Sequence, residues 1–194
     1  DKAGCSQEAF GIIYACDLIG QPAKLGTRIN EAEGRGGNYL FKSKVLILGV
    51  GNILLRDDGV GVHAVRTLQE RTFPEGVDLL DGGTAGVDLL PYIGEAQHLV
   101  VIDAVKGGGE PGAIYRLTPA VMGQFKEQSL SLHQVGFLEV LDLAEKLGNR
   151  PRAIIFGVEP QTIDWGLELT EPVQTAFPRL VELVVEEVEH LLQG

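Results

Sequence analysis

Lys44-Val45-Leu46-Ile47-Leu48-Gly49-Val50-Gly51-Asn52-Ile53-Leu54-Leu55-Arg56-Asp57-Asp58-Gly59-Val60-Gly61 is the stretch from which the fold can be read. Its first half is an unbroken apolar run, which suits a strand buried on both faces better than one with a wet side. A glycine-rich turn follows. Over residues 59–70, Val62, Val65 and Leu68 then recur at helical spacing. A buried strand, a turn and a helix in this order form the opening unit of an α/β sheet.

Outward from that unit the rhythm repeats. Further strands are predicted at residues 77–80, 99–102, 113–117 and 153–158, about five in all. Phe137, Val140, Leu141, Ala144 and Leu147 mark one helix. Phe177, Leu180, Val181, Val184, Val185, Val188, Leu191 and Leu192 mark the last, with Glu182, Glu186, Glu187 and Glu189 largely on its other side. The pattern predicts a three-layer α/β/α sandwich around a mostly parallel, about five-stranded twisted sheet.

The chain has 194 residues, a formal charge of −11 and 44% hydrophobic residues. This composition buries a core and excludes a disordered chain. An acidic balance with no Lys/Arg run disfavours nucleic acid and anionic membrane surfaces. No apolar run approaches the roughly 18–20 residues that span a bilayer, so no membrane insertion is expected. Asp1-Lys2-Ala3-Gly4-Cys5 does not read as an intact secretory signal. Two cysteines, Cys5 and Cys16, make no disulfide scaffold, and the cytoplasm is the expected compartment.

Charge divides the chain unevenly. Residues 1–43 hold five basic and five acidic side chains, whereas residues 44–194 hold 11 and 22. With the glycine-rich polar stretch at residues 30–38, this places a boundary between an N-terminal extension and linker, 1–43, and a body, 44–194. The extension has one apolar patch, residues 10–19, readable as a short helix or strand. Its role is open between a lineage-specific appendage and a segment that docks on the body or a partner.

Open α/β sheets bind ligands beyond the carboxyl ends of their strands. Gly49-x-Gly51 lacks the third glycine of a dinucleotide fingerprint, having Leu54 in its place. No G-x-S-x-G elbow exists and both cysteines lie in the extension, which argues against covalent catalysis. Asp58, Asp103 and His133 remain, each beside a predicted strand end or helix start. Two oxygen donors and an imidazole can hold a divalent transition metal with positions left open. Each also has a structural reading: an Asp in a first helical turn suits the helix dipole, and a histidine can be a satisfied core residue.

Five motifs in order carry a resemblance: residues 49–61, Asp81-Gly82-Gly83-Thr84-Ala85-Gly86, Leu99-Val100-Val101-Ile102-Asp103-Ala104, Ser131-Leu132-His133-Gln134-Val135-Gly136 and Gly157-Val158-Glu159-Pro160. Over roughly residues 44–194 the chain resembles the nickel-iron hydrogenase maturation endopeptidases. The resemblance implies removal of a C-terminal tail from a hydrogenase large-subunit precursor after nickel insertion. It also implies a metal-binding set of Asp58, Asp103 and His133, with Asp58 and Asp103 as the catalytic carboxylates and a shorter Asp58 where some members carry Glu. The nickel would arrive with the precursor, and zinc or cadmium would be able to occupy the same set in purified protein. Asn52, Asp81, Gly82, Gly83 and Thr84 are expected at the substrate cleft, and His63, His98 and His190 are expected not to be ligands. The partner is the precursor, with the enzyme acting as a monomer. Two rival readings are a metal-sensing, chaperone-like module that binds the precursor without cutting it, and a small-molecule hydrolase or phosphorylase on a similar sheet.

Overall fold

The computed structural model describes residues 12–14, 44–124, 132–149 and 151–193, without the side chains of residues 12–14, 123–124 and 132–136. Its strands are β1 (Ile12–Tyr14), β2 (Val45–Val50), β3 (Val77–Gly83), β4 (His98–Ala104), β5 (Ile114–Leu117) and β6 (Arg152–Val158). The helices are α1 (Val60–Gln69), α2 (Leu90–Ile93), α3 (Pro119–Gln124), α4 (Leu132–Lys146) and α5 (Glu171–Gln193). The strands form one sheet in the order β1-β5-β6-β4-β2-β3. Every pairing is parallel except β5 with β6, so the sheet is mostly parallel as expected.

The apolar run that decided the reading is buried along its length, and its alternation divides it between two cores. Val45 and Ile47 pack with Val65, Leu68, Val181 and Val184 of α1 and α5. Leu46, Leu48 and Val50 pack on the other face with Ile93, Phe137 and Leu141 of α2 and α4. Strand β4 splits the same way: Val100 and Ile102 join the first core, Leu99 and Val101 the second. A strand shared between two cores has no position for a polar side chain until its end, which explains why Asp103 appears only there.

Three details depart from the sequence reading. Strand β3 runs on through Gly83, so Asp81, Gly82 and Gly83 lie in its last turn of pleat and not in a loop beyond it. Leu147 follows the end of α4 and is exposed. Glu187 is buried on α5, where its carboxylate takes a two-pronged ion pair from the Arg116 guanidinium at 2.8 and 2.9 Å; only the other acids of that helix are solvated. The apolar patch of residues 10–19 contains β1, whose three residues pair in parallel with β5. Cys5, Cys16 and the rest of the expected extension and linker fall outside the described residues, as does Ser131 of the histidine motif.

The site edge depends on close backbone approach. A Cβ on Gly61 would stand 2.1 Å from the Ile102 carbonyl oxygen and 2.4 Å from that of Val50. Only glycine lets α1 start this near the junction of β2 and β4. Gly51, at φ 128°, turns the chain out of β2, where a Cβ would overlap the Asp58 carbonyl oxygen.

Candidate functional site

The chain leaves β2 through a tight turn and enters a single 3-10 turn, Arg56–Gly59, before α1. Asp57 and Asp58 sit side by side on it, both buried, and their tasks differ. The Asp57 carboxylate accepts the amides of Gln161 (2.9 Å), Thr162 (3.0 Å) and Thr170 (2.7 Å) and the Thr170 hydroxyl (2.8 Å). Four donors around one carboxylate fasten both ends of the segment that links β6 to α5. Asp57 is thereby a structural residue.

Asp58 turns the other way, and its Oδ2 accepts the Asn52 amide at 2.9 Å. The Asn52 side chain in turn accepts the Leu54 amide at 3.0 Å, a local Asx turn. The turn packs against β4, on which Asp103 is 2% exposed with Oδ1 accepting the Ala104 amide at 2.8 Å. Both carboxylates thus belong to the carboxyl end of β2 and β4, neighbouring interior strands of the sheet. His133 is the second residue of α4. Because α4 leads down to the start of β6, its first turn lies at the same end of the sheet; the imidazole itself is outside the described side chains. Among the described residues no three His, Cys, Asp or Glu side chains group as metal donors.

The expected cleft residues are placed as follows. Asp81 is fixed by Arg66, with contacts of 2.9 and 3.0 Å, and by the Gly83 amide at 3.2 Å. Gly82 is closely packed, since a Cβ there would meet a Leu48 methyl at 2.7 Å and the Gly49 carbonyl oxygen at 3.2 Å. Thr84 is exposed one residue beyond β3. The other histidines are placed on three different elements. His98 opens β4 at the opposite end of the sheet, His190 is exposed near the end of α5, and His63 lies within α1, where burial foremost and then Arg66 lower its pKa.

Sequence reading gave Glu159 a motif but no task. Its buried carboxylate takes the Tyr115 hydroxyl at 2.5 Å and the amides of Gly107 (2.8 Å) and Gly109 (3.2 Å). This pins the glycine loop that follows Asp103. Burial first, and then the neighbouring carboxylate, raise the Tyr115 pKa far above that of a free phenol. No local pattern could have announced a pairing across 44 residues.

Against this geometry, the family model described as HycI, hydrogenase maturation protease, matches residues 62–187. The hydrogenase expression/formation protein HupD of Bradyrhizobium diazoefficiens is 38% identical over 148 residues, covering 74% of this chain and 77% of that protein. The hydrogenase 2 maturation protease of Escherichia coli is 34% identical over 145 residues, covering 73% and 88%. The structure of the hydrogenase maturating endopeptidase HybD from E. coli superimposes with a TM-score of 0.70 at 33% identity, covering 76% of this chain and 93% of that one. A sheet and helices shared with a solved endopeptidase, and a family model spanning most of the body, place this chain in the hydrogenase maturation protease family.

Proposed function

We propose that this protease removes the C-terminal tail of a nickel-iron hydrogenase large-subunit precursor once nickel has been inserted. The observation that carries the reading is the pair of buried carboxylates, Asp58 and Asp103, at the carboxyl ends of β2 and β4, with the first turn of α4 and its His133 at the same end of the sheet. Nickel is cargo of the substrate in this scheme, and the three side chains complete its coordination when the loaded precursor docks. A divalent ion held there polarises the scissile carbonyl and acidifies a bound water. A carboxylate fully engaged as a ligand is a poor base, so the proton passes to whichever of Asp58 and Asp103 keeps an oxygen free of the metal. Zinc or cadmium fits the same donor set in protein purified without its substrate. The cytoplasm is the compartment in which such a precursor is met, and a monomer suffices for the chemistry.

The test is incubation with nickel-loaded and nickel-free precursor, following the tail by intact mass, beside the His133→Ala variant. Shortening of the loaded form alone, lost in the variant, is expected. Binding without cutting would make the chain a recognition module, and equal cutting of both forms would remove the nickel checkpoint.

A further inference from the structure

The segment that Asp57 fastens carries an apolar patch. Trp165, the sole tryptophan of the chain, is 75% exposed and Leu167 64%. Ile163 is 37% exposed on the same segment, and Leu54, at 46%, belongs to the turn that carries Asp58. Two backbone bonds zip the segments together: the Gly166 amide to the Leu54 carbonyl at 3.0 Å, and the Arg56 amide to the Gly166 carbonyl at 2.9 Å. The Arg56 side chain lies against Gly166. Arg56 holds a left-handed φ of 49°, uncommon for a residue with a side chain.

Hydrophobic side chains held out this firmly differ from a loose loop. The Asp57 bonds clasp the segment at residues 161, 162 and 170, and its middle is tied to the turn at Gly166. Trp165 and Leu167 are therefore presented to solvent by a fixed backbone. Exposed Trp, Leu and Ile side chains on one tied-down segment, with an arginine against it, have the composition of a protein contact whose energy concentrates in a few anchors.

We infer that Leu54, Ile163, Trp165 and Leu167 form the surface on which the folded body of the protein substrate docks, outside the cleavage cleft. The inference rests on the proposed protease reading, and continuity decides the occupant. Leu54 is four residues from Asp58 on one tight turn, where the Asp58 amide bonds the Leu55 carbonyl. A folded substrate with its scissile bond at Asp58 must overlie that turn and the segment zipped to it. Asp164 and Glu168 are exposed beside the patch. The complementary surface is accordingly an apolar patch bordered by basic side chains. Such a surface lets the enzyme grip the precursor's body and not only its tail.

The test measures processing rate against nickel-loaded precursor concentration for the full chain and for Trp165→Ser and Leu54→Ser, with Leu147→Ser as an exposed apolar control at the other end of the sheet. The expected result is a KM raised at least tenfold for each patch variant, with kcat within twofold of the unaltered chain and no change for the control. Emission from Trp165 should shift to the blue as precursor is added to the unaltered chain. An unchanged KM with unshifted emission overturns the docking surface while leaving the protease intact. An unaltered chain that shows the shift but never cuts keeps the surface and overturns the protease, and one that does neither overturns both. Concentration-dependent dimerisation of the free chain, abolished by Trp165→Ser, would assign the patch to a second copy and overturn the inference.

Discussion

Replacing Asp57 with Asn changes one atom in a fully buried group and tests whether this residue holds the site together. The carboxylate receives four donors, three at Oδ2 and one at Oδ1. An amide has a single acceptor oxygen. If that oxygen faces the three donors, the amide nitrogen is left 2.7 Å from the Thr170 N–H, donor against donor. One charge-assisted bond is then lost, at about 1.5–3 kcal/mol, and three others weaken from charged to neutral acceptors. The sum is about 3–4 kcal/mol, a large part of an ordinary domain's stability. Urea unfolding followed by circular dichroism should show the midpoint falling by roughly 1–2 M at unchanged slope. Hydrogen exchange should quicken first at Gln161, Thr162 and Thr170, with the β4 amides changing only as far as global stability does. A loss below 1 kcal/mol, or equal acceleration everywhere, would refute the claim that Asp57 is the fastening of the 161–170 segment.

Two further perturbations probe other parts of the structure. Gly61→Ala puts a methyl group into the carbonyls of Ile102 and Val50; by the usual cost of overpacking it should destabilise by about 3 kcal/mol and slow precursor cleavage, and an unfolding curve matching the unaltered chain would contradict that close approach. His98 has a lowered pKa, from burial first and then Arg152, with Glu187 acting the other way, and its Nδ1 has no partner among the described residues. The folded chain therefore takes up a proton on His98 only at lower pH than the unfolded chain does, and folding opposes that uptake. Stability should fall as pH drops from 7 to 5, and His98→Leu should flatten part of that slope, His63 supplying another part; urea midpoints at the two pH values check it, and an unchanged slope would count against the assignment.

The central strands were legible because their side chains face a core on either side, leaving a local signature in Val45–Val50 that no distant contact has to explain. The end of β3 was not. Asp81-Gly82-Gly83 has poor strand propensity, and glycine is there because Leu48 and Gly49 crowd position 82 from the neighbouring strand. The sequence reading takes Asp58 and not Asp57 as the candidate ligand, but no local mark gives Asp57 its own task. What separates them is a set of amides 104 to 113 residues downstream. Glu187 reads as one more acid on a solvated face until Arg116, 71 residues away, is seen opposite it. Nor does the sequence mark Trp165 as exposed, since exposure depends on what the fold leaves uncovered.

The order β3-β2-β4-β6 also sets a schedule. Each of the strands β2, β4 and β6 begins about 50 residues after the previous one, and a ribosome adds on the order of 5–20 residues per second. A nascent chain can pair β2 with β3 and β4 early, yet Asp57 stays without its four donors until residues 161–170 have emerged. The acidic turn and its tryptophan-bearing neighbour are completed among the last parts of the body.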